Sequence, residues 1–295
     1  MRAFHSRPLR EGYRHVFFDA RRAYTSHRRH RRGRGKKKQA ALLLAWGVRH
    51  RGGEELIDFR VTGGENEKNW TAFMTDLERR GLKTENPWAQ RLEMIVSDGD
   101  SGLLSALYMV YPNVPKQRCV FHKVQDIAAH LQDRSHREAI LSEAGRIHKG
   151  ARTKQEALAR LERWAQRWRQ EEPEAVRCFL YDFERTLTYL NAPCECRRRL
   201  RTTSPIERFI RELNRKFKGV GSFPSNASWE RATYLVWRNL KTNGYAPTTR
   251  QSPKTPSYTK LLTPSYPLCP CVEAGEGIES IGTLGLTCGR SPVIV

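Results

Sequence analysis

The sequence predicts an α/β protein: a mixed five-stranded sheet with flanking helices, carrying an all-helical insertion. Three observations predict it. Three β-like runs follow one another within residues 13–62, two more at 91–98 and 117–122 bracket a short helix, and from about residue 123 the chain turns helical and charge-rich. Sequential strands on short turns favour an antiparallel meander, whereas strand–helix–strand favours parallel additions.

Taken in order, "YRHVFFD" (13–19) is a short strand ending in a carboxylate. "AALLLAWGV" (40–48) and "EELIDFRVT" (54–62) are strands joined by "RHRGG", whose glycines suit a hairpin turn. "NEKNWTAFMTDLERRGL" is a helix, because Trp70, Phe73, Met74 and Leu77 recur at three- and four-residue steps before Gly81. "RLEMIVSD" (91–98) is a buried-type strand, "SGLLSALYMVY" a short helix and "QRCVFH" (117–122) a last strand. In "TKQEALARLERWAQRW", Ala157, Leu158, Leu161, Trp164, Ala165 and Trp168 form one stripe, the mark of a helix packed on its neighbours. Residues 203–217 place Ile206, Phe209, Ile210, Leu213 and Phe217 on one face, and a final helix covers 227–241. Beyond Asn243 the Pro-, Ser- and Thr-rich chain loses periodicity and reads as an irregular tail. The expected division is 1–122, first part of the sheet; 123–200, helical insertion; 201–243, closing helices; 244–295, tail.

The chain has 295 residues, 38% of them hydrophobic, enough to fill a real core. A net charge of +22 favours a polyanionic partner, and nucleic acid is the commonest. No apolar stretch approaches the ~18 residues that span a bilayer, and the opening "MRAFHSRPLREGYRH" has no apolar core of a secretory signal. Cysteines 119, 178, 194, 196, 269, 271 and 288 form no regular framework, which points to a reducing, intracellular setting. "ARRAYTSHRRHRRGRGKKKQ" carries ten Arg or Lys between 21 and 38 and no acid. It reads as a solvated basic loop that can lie on a phosphate backbone.

Asp19 and Asp98 both end predicted strands. As neighbours they would meet at one sheet edge and bind Mg²⁺, which takes hard oxygen ligands. Each also suits an ordinary strand-end turn. Glu207 lies in "RTTSPIERFIRELNRK", where Ser204 as N-cap, Pro205 at N1 and Glu207 at N3 spell a capping box. The cap and a ligand role compete for that one carboxylate. In "SDGDSG", Asp98 is the expected ligand and Asp100 the helix-capping or turn residue. "CVFH" supplies Cys119 and His122, half of a zinc site with Cys194 and Cys196 as the nearest further donors, but packing of Cys119 with His122 near the active edge, as active-site support, is the favoured reading.

Together these stretches resemble the Mutator-type transposases of bacterial insertion sequences. The resemblance rests on the ordered set "FFDA", "LLLAWGV", "GENEKNWTAFMTDLERRGL", "IVSDGDSGL", "YPNVPKQRCVFHKVQDI" and "RTTSPIERFIRELNRKFKGVGSFPSNASWERA", from residue 16 to about 240. It implies a ribonuclease-H-like core with an Asp-Asp-Glu triad falling on Asp19, Asp98 and Glu207, and a C-x₂-H pair on Cys119 and His122. It further implies two Mg²⁺ ions, with Mn²⁺ able to substitute, strand cleavage at the transposon ends, and attack of the freed 3′-OH on a target duplex. DNA is then the partner, engaged by Arg28, Arg29, Arg31, Arg32, Arg34, Lys36, Lys37 and Lys38 and by Arg208, Arg211, Arg215, Lys216 and Lys218. A homodimer or higher oligomer on DNA, in the cytoplasm at the nucleoid and away from any membrane, completes the expectation. The family's long end-recognising region precedes its first Asp, whereas Asp19 lies near the start of this sequence. A truncated, transposition-defective DNA-binding remnant is therefore the alternative reading.

Overall fold

The computed structural model describes residues 1–10, 12–26, 37–84, 91–220 and 222–242. A mixed five-stranded sheet runs in the order β3-β2-β1-β4-β5. Its strands are β1 (Tyr13–Ser26), β2 (Lys37–Arg49), β3 (Glu54–Thr62), β4 (Met94–Ser97) and β5 (Lys116–Arg118). β1, β2 and β3 pair antiparallel, and β4 and β5 add on the far side of β1 in parallel, so the predicted meander and crossover both form.

Period-two alternation in β2 explains why the sheet is buried on both faces. Ala40, Leu42, Leu44, Trp46 and Val48 enter one core, while Ala41, Leu43 and Ala45 enter the other. The second core is closed by α2 (Glu67–Arg79), through Trp70, Phe73, Met74 and Leu77, and by α3 (Ser101–Val110), through Leu103, Ala106 and Leu107. On the first face lie α9 (Ser204–Lys216), α10 (Asn226–Thr242) and a helical block. Trp46 packs edge-on against Trp237 of α10 at 5.5 Å between ring centroids. Glu230 of α10 also accepts a hydrogen bond from the Val61 N–H at 2.9 Å, which occupies one donor of the edge strand β3.

The helical block comprises α4 (Val120–Ile127), α5 (Arg137–Gly150), α6 (Lys154–Trp168), α7 (Pro173–Leu180) and α8 (Cys194–Leu200). In α6 the predicted tryptophan stripe is buried, and Trp164 meets Phe179 of α7 at 4.8 Å. A five-residue helix, α1 (Arg2–Ser6), precedes the sheet, its His5 bonded to the buried carboxylate of Asp58 at 2.6 Å. No helix among the described residues is long and apolar enough to cross a membrane.

Two predicted boundaries move. β1 runs past Asp19 to Ser26, and its pairing with β2 persists to Ser26↔Lys37, so residues 20–26 and 37–39 are strand rather than loop. Alternation hidden by the charges explains this. Arg21 lies over the rings of Trp229 and Phe217 at 5.6 and 6.0 Å, Thr25 is buried, and Arg22 and Tyr24 on the other face are exposed. "QRCVFH" is not one strand. β5 stops at Arg118, Cys119 caps α4, and His122 sits in the first turn of that helix.

His148 of α5 is 2% exposed, with neither ring nitrogen hydrogen-bonded, and it packs on Phe183 at 5.1 Å. Burial, with Arg201 adding to it, lowers its pKa from 6.5 to about 3. Between those values the unfolded chain binds a proton that the folded chain does not, so this residue's contribution to stability falls as pH drops. His148→Phe should remove on the order of 1–2 kcal/mol of the stability lost between pH 7 and pH 5. Urea unfolding of both proteins at the two pH values checks it.

Candidate active site

The parallel ladder of β1 and β4 ends at Phe17↔Val96 and Phe18↔Ser97. Asp19 and Asp98 are the next residues on each chain. They lie two positions beyond Phe17 and Val96, hence on the same face of the sheet, toward α9. On the next strand Arg118 pairs with Ser97, and the Cys119 N–H donates to the Ser97 carbonyl at 2.7 Å. Asp19, Asp98 and Cys119 thus lie side by side across three strands. Asp19 is therefore not at a strand end, as the sequence suggested. The edge at which it sits is made by the ending of β4.

Glu207 reaches this edge from the first turn of α9. The Val120 N–H donates to the Arg201 carbonyl at 2.8 Å, and the Cys119 sulfur accepts from the Thr203 N–H at 3.4 Å, with the Thr203 hydroxyl oxygen 3.6 Å away. Cys119 thereby seats the N-terminus of α9. The expected capping box is not formed: the N-cap is Thr203, and no side chain caps it. The Glu207 carboxylate instead accepts from the Thr203 hydroxyl at 3.0 Å, which leaves acceptor capacity free. Asp100 does cap α3, accepting from the Leu103 N–H at 3.1 Å. Asp98 accepts from the Asp100 N–H at 3.2 Å, an ordinary turn contact that still presents the carboxylate.

Charge accumulates here. Asp19 is 4% exposed, and burial, with Asp98 and Glu207 beside it, raises its pKa to about 7 even though His122 pulls the other way. Burial raises Asp98 as well. Burial pulls the His122 pKa down, but Cys119, Asp19 and Asp98 outweigh it and bring it to about 9. At neutral pH an imidazolium therefore faces the two aspartates. Buried carboxylates so crowded bind a cation readily, and their hard oxygens suit Mg²⁺ or Mn²⁺. Asp19, Asp98 and Glu207 fit that role by donor type and by charge.

Among the described residues, the set of three possible metal-binding side chains whose ligand atoms all lie within 4.8 Å of one another is Cys119, His122 and Glu207. The two aspartates lie outside that tighter set. The four-residue zinc site is not assembled: Cys194 is exposed, and the charges around Cys196 are those of Arg14, Glu195, Glu93 and Arg199. Cys119 and His122 sit against the carboxylate edge instead.

One residue here was not singled out from sequence. Arg118 is 9% exposed, and its guanidinium bonds to both oxygens of Asp182 and, at 2.6 Å, to Asp126. Asp182, held in a left-handed backbone conformation (φ 53°), also binds buried Lys123 at 2.9 Å. The turn after Asp98 rests on this guanidinium, since a Cβ on Gly99 would lie 2.2 Å from Arg118 Nη2. The helical block therefore supports the position of Asp98 through Arg118. The available signal was the arginine beside Cys119 in "QRC".

Of the predicted DNA-contacting residues, Arg28, Arg29, Arg31, Arg32, Arg34 and Lys36 lie outside the described residues, as does the side chain of Lys37. Lys38, Arg211, Lys216 and Lys218 are exposed, and Arg215 is paired with Glu212 at 2.7 Å. Arg208 is half-buried, with its Nε unpartnered.

Direct comparison gives the class of this basic α/β chain. The model of the Mutator family of transposases matches residues 1–245, and the chain belongs to that family. It is 31% identical over 227 residues to the transposase for insertion sequence element IS1201 of Lactobacillus helveticus, covering 77% of this chain and 57% of that protein. Over 228 residues it is 29% identical to the transposase for ISRM5 of Rhizobium meliloti (strain 1021), covering 77% and 54%. Over 225 residues it is 31% identical to that for IS406 of Burkholderia multivorans, covering 76% and 54%. The chain thus spans a little over half the length of these relatives. Among solved structures it is similar to the Drosophila P element transposase strand transfer complex, at 8% identity over 81% of this chain and 68% of that one. The TM-score of 0.28 is too low to carry an argument.

Adding a methyl at residue 99 forces Arg118 off its anchors. Gly99→Ala should cost about 1–3 kcal/mol, the range for overpacking. In the Arg118→Ala background the same change should cost little. A double-mutant cycle by chemical denaturation measures that coupling.

Proposed function

We propose that the chain is the catalytic part of a DDE-type insertion-sequence transposase, built on a ribonuclease-H-like core, which cleaves DNA at transposon ends and transfers the 3′-OH to target DNA. The observation that carries this reading is the meeting of Asp19 and Asp98 on neighbouring parallel strands, with Glu207 arriving from the helix that packs over them. Family membership supports it independently.

In this reading Asp19, Asp98 and Glu207 would hold two divalent ions, Mg²⁺ or Mn²⁺, whose chemistry would be to activate an attacking oxygen and to stabilise a leaving one. Cys119, through Thr203, fixes where α9 begins and so where Glu207 points. His122 supplies positive charge that favours the ionised forms of Asp19 and Asp98. Water attacks first and the freed 3′-OH second, each in line at phosphorus, so no covalent enzyme intermediate is required.

Arg208, Arg211, Lys216 and Lys218 place positive charge on or just beyond α9, and the basic segment of residues 27–36 follows β1. The duplex is proposed to lie across these groups, held mainly through phosphates, with the working unit a homodimer or higher oligomer at the nucleoid.

Asp98→Asn, Asp19→Asn and Glu207→Gln should each lower Mg²⁺-dependent nicking of the cognate end by at least about a hundredfold, a loss of roughly 3 kcal/mol of transition-state stabilisation. DNA affinity should stay within a few-fold of the parent. Nicking assays on a supercoiled plasmid carrying the element ends, with filter binding alongside, read both. Unchanged nicking by Asp98→Asn would remove the triad assignment.

A further inference from the structure

The loop between β3 and α2 brings a fourth carboxylate to the edge. Its backbone is fixed: the Gly64 carbonyl accepts from the Thr62 hydroxyl at 2.7 Å and from Asn69 Nδ2 at 2.8 Å, and Asn66 caps α2 by accepting from the Asn69 N–H at 3.0 Å. This loop is pressed against the turn that follows Asp98. A Cβ on Gly102 would lie 2.7 Å from the Glu67 nitrogen and 3.0 Å from the Asn66 carbonyl carbon. The chain can take that path only because residue 102 has no side chain. Glu65 is thereby set beside residues 98–100.

The Glu65 side chain is only 6% exposed. One oxygen, Oε2, accepts from Arg22 Nε at 3.0 Å, while Oε1 is buried and has no hydrogen-bond partner. A buried carboxylate oxygen without a donor is costly, and native structures keep such groups for a reason. Its neighbours aggravate the cost: burial raises the Glu65 pKa, and Asp98 and Asp100 raise it further. Arg22, 60% exposed and 3.8 Å from Asp100, straddles the pair from solvent and offsets this only in part. Asp98 and Asp100 each give one oxygen to a backbone N–H, so each keeps acceptor capacity beside Glu65. The guanidinium, bonded to Glu65 and 3.8 Å from Asp100, stands where a small, hard cation would neutralise these acids.

We propose that Glu65 is a fourth acidic residue of the divalent-cation site, contributing with Asp98 to holding an ion, and that Arg22 competes with that ion. The proposal rests on the reading of the carboxylate edge as a metal site. It extends that edge to the opposite side of the sheet, where α2 and α3 begin. It also assigns a role to the acid in "GENEKNW", beyond a helix-start composition.

Mn²⁺ binding to the full chain, read by the electron paramagnetic resonance signal of the free ion, tests it without any activity assay. Glu65→Gln should weaken the Asp98-dependent Mn²⁺ site about tenfold or more, as expected for a residue that supports a metal. Glu65→Asp should recover part of the loss. Arg22→Gln, at an exposed position that leaves every acid in place, should tighten Mn²⁺ binding. Affinity unchanged by Glu65→Gln, with Asp98→Asn still abolishing binding, overturns the role of Glu65 and leaves the metal site standing. Weaker binding in Arg22→Gln also overturns the proposal, because it would make Arg22 a support rather than a competitor. Absence of any Asp98-dependent Mn²⁺ site in the parent protein overturns both readings together.

Discussion

The ladder between β1 and β4 stops one residue short of two aspartates, and the arrangement of the site depends on that stop. While strands remain paired, neighbouring side chains on one face are packed by the helices above them, as Phe17 and Val96 are. One step further, β4 turns away through Gly99, and the packing gives way to Asp19, Asp98 and Cys119. A slip of one residue in this register would put the two carboxylates on opposite faces of the sheet. The register is guarded by the alternation of β1 and β2, whose odd and even residues fill two separate cores. Hydrophobic burial on both faces is thus what positions the charges.

Much of the fold was legible because it is written in periodicity. The "AALLLAWGV" run, the α2 stripe and the tryptophan stripe of α6 each bury the residues their spacing implies. Reading failed where charge masked the pattern. Arg21 and Arg22 look like the start of a basic loop, yet Arg21 lies on Trp229 and Phe217, and the strand continues beneath it. It failed again at "QRCVFH", whose apolar residues suit a strand, because Cys119 turns the chain to meet Thr203, a contact 84 residues away in sequence. The capping box at Ser204 failed by one position for the same reason, since helix α9 begins where Cys119 holds Thr203.

The site itself was legible only in part. Asp19, Asp98 and Glu207 were nameable from strand ends, a helix start and the family resemblance. The support beneath Asp98 was not, because Arg118 and Asp182 are 64 residues apart and meet only in the folded chain. That pairing gives the helical block a physical connection to the sheet edge. The guanidinium is nearly buried, anchored on two acids, and in contact with the turn that carries Asp98. Glu65 was missed for a simpler reason: an acid before a helix is too common to stand out.

The crowded carboxylates at the end of β4 are proposed to be a cation site in this member of the Mutator family. Anomalous diffraction at the manganese absorption edge, from crystals of the chain with its DNA grown in Mn²⁺, tests that claim most directly. The account predicts two peaks roughly 3.5–4 Å apart, the spacing of two-metal sites, flanked by Asp19, Asp98 and Glu207. A metal bound only by Cys119, His122 and Glu207, or no peak beside Asp19 and Asp98, would contradict it.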